Sequence, residues 1–344
     1  MIQPGELAKR LAGLPLDVEE CRIEIGSVPA VGYYGGAPRP TGTVILIGGG
    51  HLGRGENVDW TPEDQATFRD TVQDAVAASR TTIGELSERL EGHLVAHHRA
   101  AIEAAAIDLA LRQAENNLFA IATLPAEPVT FCWSIGQDLS KTVGGPLAAV
   151  RTILDADPNA TFKLDVPVDG WPEAMWSRFA AIDRVRVVDF KRRGTSQSVA
   201  LAHRFLPEVW LEDPPLEAFS DGSQSSAWAK RVAVDGYAAR IADLTALTFR
   251  PAAINVKAPR MGGPLEALRC LDLCRQNGWA AYIGGMFEVG PGRPQARVLA
   301  SLFTSHQWND LAPIRLCDSD PYPSSPLVLP SDSRGFGESV SQTD

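Results

Sequence analysis

Residues 160–190 have the sequence ATFKLDVPVDGWPEAMWSRFAAIDRVRVVDF. A short run rich in β-branched and aromatic residues stands at each end, and a helical stretch lies between the two, which predicts one strand–helix–strand unit. From Pro128 onward the same pattern recurs in the runs VTFCWSI, ATFKLDV, VRVVDF, EVWLED, KRVAVDG, AAINVKA and WAAYIGG. This part of the chain is therefore predicted to consist of successive βα units.

The spacing of these units is nearly even. Successive runs end at Asp165, Asp189, Glu212, Asp235 and Lys257, at intervals of 24, 23, 23 and 22 residues. Strands that alternate with helices form a parallel sheet, and seven or eight consecutive units favour a barrel over an open doubly wound sheet. We therefore predict an α/β barrel.

The first 125 residues have a different character. Apolar runs broken by Gly and Pro between Cys21 and Ile47 predict strands joined by a loop. A helix is predicted to begin at Thr61, because Pro62 then occupies its first turn, and an alanine-rich helix is predicted over Ala100–Leu118. These elements indicate a separate α+β unit.

Composition disfavours several classes of function. With 344 residues, 44% of them hydrophobic, the chain can bury a sizeable core in roughly two domains. Its net charge of −10 disfavours non-specific binding to nucleic acid or to an anionic membrane. The N-terminus lacks the features of a signal peptide, and no window is apolar enough to span a bilayer. We expect a cytoplasmic protein that acts on a small molecule.

Cysteines and histidines give weaker signals. The five cysteines are scattered, and Cys270 and Cys274 lie in an apolar helical stretch, so we expect them in the core. His93, His97 and His98 share a helical segment in which an i, i+4 pair could bind a metal, but no third ligand lies nearby in the sequence. A surface face is favoured for these histidines.

Charged residues stand where the C-terminal ends of the predicted barrel strands surround one space: Asp189, Glu212, Asp235, Lys257 and Glu288. A single acid there could be a helix N-cap, but three on consecutive strands indicate a shared site. Three converging carboxylates repel one another unless a cation lies between them, and oxygen ligands favour Mg²⁺, with Mn²⁺ next.

Two lysines are predicted to flank this ion. Lys163 and Asp165 share one face of the preceding strand, and Lys257 lies across the barrel. A metal ion and a second ammonium group would lower the pKa of a lysine so that it can act as a base. It could then remove the α-proton of a substrate carboxylate, and the ion would stabilise the resulting enediolate.

From about residue 98 to about residue 314, the chain resembles the enolase superfamily, and especially its muconate-lactonising-enzyme subgroup. The matching motifs are Lys163-Leu-Asp165, Asp189, Leu211-Glu212-Asp213-Pro214, Asp235, Asn255-Val-Lys257 with Arg260-x-Gly262-Gly263, and Gly284-Gly-Met-Phe-Glu288-x-Gly290. The last motif is most similar to o-succinylbenzoate synthases and N-acylamino acid racemases. The resemblance implies a modified (β/α)7β TIM-like barrel with an N-terminal α+β capping domain.

The resemblance also implies boundaries and roles. It implies a capping domain over residues 1–125, a barrel over 126–318, and a C-terminal segment over 319–344 that returns to the cap before a flexible end. The loop near Val28–Thr43 would close on the substrate. The implied roles are metal ligation by Asp189, Glu212 and Asp235, acid/base chemistry by Lys257, and substrate contact by Asn255 and Glu288.

Two departures from the family pattern affect these roles. The relatives have K-x-K on the second barrel strand, whereas here the second lysine is replaced by Asp165, so either Lys163 or Asp165 is left as the second catalytic group. Lys191 stands where the family usually has Asn, and it either reaches the substrate as a further cation or pairs with a ligand carboxylate.

These features predict a Mg²⁺-dependent enzyme that removes the α-proton of a small carboxylate substrate. One-sided chemistry at Lys257 favours a lyase, either a dehydratase or an o-succinylbenzoate-synthase-like enzyme. A racemase, epimerase or cycloisomerase is the alternative within the superfamily, and a metal-binding barrel without turnover is the alternative outside enzymes. The carboxylate triad disfavours a Schiff-base aldolase. The sequence leaves open the substrate and the oligomeric state, a homo-oligomer included.

Overall fold

A computed structural model describes residues 2–31, 37–72, 75–76, 78–136, 145–215, 218, 229–237 and 239–337. The loop that the resemblance predicts to close on the substrate includes residues 32–36, and the predicted flexible end includes residues 338–344. Both of these stretches lie outside the described residues.

The N-terminal part is built around an antiparallel sheet of β2 (Glu20–Val28), β3 (Arg39–Gly48) and β4 (His51–Asn57). Gly49 and Gly50 form the tight turn between β3 and β4, and both have positive φ angles, which glycine adopts readily. The remaining elements are α1 (Pro4–Ala12), β1 (Pro15–Val18), α2 (Pro62–Val72), β5 (Ser79–Thr82), α3 (Ile83–Leu90), α4 (Ala96–Gln113) and α5 (Leu118–Ala122), and β1 pairs with β5. The predicted α+β architecture is confirmed.

Helix α4 is buried along most of its length. Strand β4 approaches it closely, because a Cβ at Gly55 would lie only 2.0 Å from the Ala101 carbonyl oxygen. The helix ends at Gln113, earlier than the sequence pattern predicts. Glu115 has a φ of 51°, which interrupts the helix, and Asn117 then caps α5 by accepting a hydrogen bond from the Ala120 amide at 2.9 Å.

The C-terminal part is a curled parallel sheet whose seven strands are neighbours in chain order. Its strands are β6 (Trp133–Ile135), β7 (Phe162–Asp165), β8 (Val185–Asp189), β9 (Trp210–Glu212), β10 (Val232–Val234), β11 (Ala253–Val256) and β12 (Ala280–Ile283). The helices around it are α6 (Gly145–Ala156), α7 (Glu173–Ile182), α8 (Ser196–Phe205), α9 (Ile241–Thr245), α10 (Ala258–Met261), α11 (Pro264–Asn277) and α12 (Gly292–Phe303), and a 3₁₀ turn covers Ala229–Arg231. The predicted (β/α)7β fold class is confirmed.

Two residues link the free edges of this sheet. The Asn309 carbonyl accepts a hydrogen bond from Cys132 N at 2.9 Å, on the β6 side. On the β12 side, Asp310 N donates to the Ile283 carbonyl at 2.9 Å, and the Asp310 carbonyl accepts from Gly285 N at 3.1 Å. The eighth position of the barrel is thus reduced to Asn309 and Asp310, which brings the Asp310 side chain to the C-terminal end of the barrel.

The two parts share one apolar core, and the barrel strands are buried on both faces. Cys270 and Cys274 are buried in α11, where core packing was predicted, and all five cysteines are free thiols. Within the described residues, no helix combines the length and apolarity that crossing a bilayer requires.

Residues after the barrel return to the N-terminal part. Gly335 bridges to Asn117 beside α5, and the Phe336 amide donates to Asp108 of α4 at 2.7 Å. This segment follows the barrel in sequence, and it forms a hydrogen bond with the buried helix α4 of the N-terminal part. The domain boundaries stay a prediction.

Glu56, the next-to-last residue of β4, joins the cap to the loop after β12. Its carboxylate accepts hydrogen bonds from the amides of Val289, Gly290 and Gly292, at 2.7 to 3.0 Å. Burial and the nearby Glu288 carboxylate raise the pKa of Glu56 to about 7, although the three amides oppose this shift. The seam between cap and barrel therefore contains a group that titrates near neutrality.

We expect the Glu56→Gln variant to have a lower free energy of unfolding than wild type at pH 5, because an NH₂ donor replaces one of the oxygens that accept from the backbone amides. This difference in stability should be smaller at pH 8. A raised folded-state pKa means that the contribution of Glu56 is complete below its ordinary value of 4.5 and is lost as the pH rises through 7. Between pH 5 and pH 8, the difference in unfolding free energy between the two proteins should shrink by about 2.5 kcal/mol. Urea unfolding of both proteins measures it, and a constant difference would contradict the raised pKa.

Candidate active site

The structure brings most of the predicted site residues together at the C-terminal end of the barrel. Asp189 and Glu212 are the last residues of β8 and β9 and are register partners, while Asp235 and Lys257 directly follow β10 and β11. Lys163 lies in β7. All five side chains are buried. The strand order alone places the three acids between the two lysines.

The three acids form a compact cluster: carboxylate oxygens of Asp189, Glu212 and Asp235 lie within 4.8 Å of one another. Burial and the other two carboxylates raise the pKa of Glu212 to about 8, against the opposing effect of Lys163. Burial also acts to raise the pKa of Asp189 and Asp235, but nearby cations outweigh it and lower both. One carboxyl of the cluster therefore holds a proton at neutral pH.

Lys163 is enclosed by carboxylates. Its Nζ lies 2.5 Å from Glu212, 3.0 Å from Asp189 and 3.1 Å from Asp310. Burial alone would lower the pKa of Lys163, but the three carboxylates raise it well above its ordinary value. In the metal-free protein these carboxylates therefore favour the ammonium form of Lys163.

Lys191 pairs with carboxylates, which is one of the two outcomes that the sequence left open. It has a positive φ of 52°, and its Nζ contacts both Asp189 and, at 3.1 Å, Asp165. Burial raises the pKa of Asp165 in spite of Lys191. Asp165, Lys191 and Asp189 thus form an ion-paired group at one side of the cluster.

Lys257 lies on the other side. Its Nζ donates to Asp235 at 3.0 Å, and Arg260 donates to the second oxygen of the same carboxylate. The cap stabilises this segment, because Arg99 of α4 donates to the Gly262 carbonyl at 2.9 Å. A Cβ at Gly262 would overlap the Arg99 guanidinium, which explains the glycine at this position of the motif.

Asn255 and Gly284 complete the floor of the site. The Asn255 amide donates to Glu212 at 3.3 Å, while its buried Oδ1 has no hydrogen-bond partner among the described residues. A Cβ at Gly284 would lie 2.1 Å from this oxygen and 2.6 Å from Cε of Lys257. The glycine therefore leaves room for both side chains.

Glu288 is placed differently from the other predicted residues. It is buried, accepts from the Met286 amide at 2.8 Å and pairs with Arg293 at 3.2 Å. Within the part of the chain that the structure describes, no hydrogen bond or ion pair joins Glu288 to the acid cluster. Its predicted contact with substrate stays a prediction.

Sequence reasoning missed two residues of the site. Tyr282, in β12, donates its hydroxyl to Glu212, and Asp310 contacts Lys163. The alternation of side chains along β12 could have placed Tyr282 on the inner face of the barrel. The sequence around Asp310, in contrast, has no strand pattern. Only closure of the barrel shows that Asp310 belongs to the site.

The residues fit a divalent metal ion in donor chemistry and in charge. The donors are carboxylate oxygens, which favour hard cations. Metal ligation requires ionised carboxylates, and in that state five negative groups face four cations: Asp165, Asp189, Glu212, Asp235 and Asp310 against Lys163, Lys191, Lys257 and Arg260. These groups have a net charge of −1. A bound divalent ion would change this net charge to +1, which a single substrate carboxylate would neutralise. The cluster is thus consistent with a divalent metal site.

We expect Asn or Gln substitution of Asp189, Glu212 or Asp235 to weaken Mg²⁺ binding by about 100-fold or more, since each change removes an anionic ligand. Calorimetric titration with Mg²⁺ measures the change. Asp169→Asn, at an exposed acid in the loop after β7, is the matched control. Unchanged affinity in all three variants would refute the assignment.

The fold defines a class. Over 86% of this chain and 90% of the other, the protein is similar to a dipeptide epimerase from Methylococcus capsulatus complexed with Mg ion, with a TM-score of 0.72 and 20% identity. It is also similar to the muconate lactonizing enzyme from Pseudomonas putida, with a TM-score of 0.67 and 16% identity over 85% and 86% of the two chains. The fold is that of the muconate-lactonising-enzyme-like members of the enolase superfamily.

Comparison with protein-family models assigns the chain to a family. Models described as the N-terminal and C-terminal domains of the domain of unknown function DUF8230 match residues 9–121 and 125–316. The chain belongs to the DUF8230 family. It is also 32% identical over 97 residues to the o-succinylbenzoate synthase of Enterococcus faecalis, a match that spans 26% of this chain and only 26% of that enzyme's length.

Proposed function

We propose that this protein is a Mg²⁺-dependent lyase that removes the α-proton of a small carboxylate substrate. The single observation that carries the proposal is the order of groups across the barrel. Three carboxylates on β8, β9 and after β10 lie between Lys163 on one side and Lys257 on the other. This order supplies a place for a cation, a place for a substrate anion and a nitrogen base beside it.

The three lysines of the site, Lys163, Lys191 and Lys257, differ in the number of carboxylates that they contact. Lys163 contacts three carboxylates and Lys191 contacts two, so both are suited to be fixed positive charges. Lys257 contacts Asp235, a carboxylate that it shares with Arg260. We therefore assign proton removal to Lys257 and charge stabilisation to Lys163 and Lys191.

A divalent ion bound by Asp189, Glu212 and Asp235 would supply positive charge for the substrate carboxylate. Lys257 Nζ, when neutral, takes the α-proton, and the electrons of the broken C–H bond move toward that carboxylate. Lys163 stabilises the added negative charge through its fixed ammonium group. With one base, the electrons next form the C=C bond and expel a leaving group from the β-carbon. The ammonium form of Lys257 returns its proton to that leaving group and becomes neutral again, which makes the reaction an elimination.

Racemisation or epimerisation is the second candidate. The fold shared with a dipeptide epimerase and the position of Lys163 across from Lys257 favour it. Racemisation needs a base on each side of the α-carbon, and Lys163 would have to lose its proton despite three neighbouring carboxylates. The raised pKa of Lys163 and the presence of Asp165 at the other position make the lyase our choice.

The experiment is incubation of the protein with Mg²⁺ in D₂O. The compounds would be acid sugars, N-acyl amino acids, dipeptides and succinylbenzoate precursors, each followed by NMR. Exchange of an α-proton together with loss of a β-substituent supports the lyase. Exchange with inversion and no elimination supports the racemase, and Mg²⁺ binding without any exchange would favour the non-catalytic barrel.

A further inference from the structure

We infer a second metal site in the capping part, formed by Asp59, His97 and His98 and suited to Zn²⁺ or a similar transition-metal ion. This inference does not depend on the proposed function. Carboxylate oxygens of Asp59 and ring nitrogens of the two histidines lie within 4.8 Å of one another. The sequence favoured a surface face for these histidines because no third ligand lies near them in the sequence. The structure corrects this, since His98 is buried and Asp59, 38 residues before His97, lies beside both rings.

The geometry is convergent. His97 Nε2 lies 2.6 Å from one oxygen of Asp59, and His98 Nε2 lies 2.8 Å from the other oxygen. The two imidazole rings are nearly perpendicular, with centroids 4.8 Å apart. Each nitrogen therefore pairs directly with a different oxygen of one carboxylate, and an ion would bind here by replacing these two contacts with bonds from the same three side chains.

The surrounding residues fix Asp59 in place. Its backbone carbonyl accepts hydrogen bonds from Arg39 and from Gln65, the latter at 3.1 Å. Asn57 donates to its carboxylate at 2.9 Å. His98 is also packed against Phe68, with ring centroids 4.9 Å apart. Asp59 and His98 are thus preorganised by groups behind them, which is the arrangement that tunes metal ligands in proteins.

The ligand atoms of Asp59, His97 and His98 favour a different kind of ion from the one that the barrel cluster favours. Two imidazoles and one carboxylate suit Zn²⁺ and other transition-metal ions, whereas the barrel cluster offers oxygen alone. The His97 side chain is 32% exposed, so solvent can reach the cluster and complete the coordination. Asp59 and His98 are buried, so the site opens on one side only.

The location couples this site to the barrel. Trp60, the residue after Asp59, packs edge-on against Phe287 with ring centroids 5.7 Å apart. Arg39 bridges the same two segments, because its Nε donates to the Phe287 carbonyl at 3.2 Å. An ion on Asp59 would therefore hold the cap segment that packs on the loop preceding Glu288.

The test is titration of the full-length protein with Co²⁺ in the presence of millimolar Mg²⁺, which competes with Co²⁺ for the oxygen ligands of the barrel site. We expect one equivalent of Co²⁺ to bind with the visible absorption of nitrogen coordination and to be displaced by Zn²⁺. In His97→Gln the affinity should fall by about 100-fold or more, beyond the ~10–100-fold loss expected for a group behind the ligands. His93→Gln is the matched control, because His93 is exposed on the same segment and lies outside the cluster.

Equal Co²⁺ binding by wild type and His97→Gln would overturn the inference, as would Co²⁺ that binds without nitrogen-type absorption. Thermal unfolding of each variant without metal shows whether His97→Gln is folded. If it is not, Asp59→Glu, which keeps the charge but displaces the oxygens, should still weaken Co²⁺ binding, and unchanged binding there refutes the site. Asp189→Asn should leave this Co²⁺ site intact, which separates its failure from failure of the proposed function.

Discussion

Replacing Lys257 with Ala is expected to reduce α-proton exchange by about 10²–10⁴-fold, the usual contribution of a positioned general base. Lys257 is buried at the end of β11, with its Nζ 3.0 Å from Asp235, on the side of the cluster opposite Lys163. Its removal takes away the nitrogen that accepts the proton. NMR-detected exchange in D₂O, with a substrate found by the wild-type screen, measures the loss.

Lys257→Arg is the matched control for this prediction. Arginine keeps a positive charge beside Asp235 but cannot act as a base at neutral pH. We expect it to lose exchange as Lys257→Ala does, while Mg²⁺ affinity stays near that of wild type. Exchange that persists in both variants would remove Lys257 from its role and would make Lys163 or Asp165 the base.

Replacing Lys163 with Met is expected to destabilise the metal-free protein by about 3–5 kcal/mol, the cost of removing one partner from a buried ion pair. Lys163 is 1% exposed and contacts Asp189, Glu212 and Asp310. Without its ammonium group, two buried carboxyl groups and the half-buried one of Asp310 lose their shared cation, and methionine fills a similar volume without replacing the charge. Urea unfolding in the presence of a chelator measures the loss.

Added Mg²⁺ should restore part of this stability, because an ion that binds only the folded protein stabilises it by mass action. Lys191→Met is the comparison, since the Lys191 side chain is 36% exposed and its ion pairs are better solvated. We expect a smaller loss there. A Lys163→Met protein as stable as wild type would show that the carboxylates do not need this cation.

Much of the site could be predicted because a parallel barrel makes sequence position equivalent to spatial position. The interval of 22 to 24 residues between strand ends indicated that Asp189, Glu212, Asp235 and Lys257 meet at one end of the barrel. Their residue types then indicated a divalent ion and a base. The same logic covers Lys163, which lies on the neighbouring strand and shares its face with Asp165.

Residues outside that periodicity could not be found in this way. Asp310 belongs to a two-residue link between the sheet edges, with no strand pattern around it. Glu56 bonds to backbone amides more than 230 residues later in the chain. Asp59 meets His97 and His98 only because β4 packs on α4. Each of these contacts depends on how two parts of the chain pack, which local spacing does not encode.

The protonation states were also decided by the tertiary structure. From the sequence, a lysine beside a metal ion was expected to have a lowered pKa, whereas three carboxylates raise the pKa of Lys163 in the metal-free protein. A regular period of strand ends was sufficient to predict the barrel, the order of its strands and the charged groups at its mouth. The pairing of those charges and the residues that close the barrel could not be predicted from this period, because both depend on distances and burial between residues far apart in the chain.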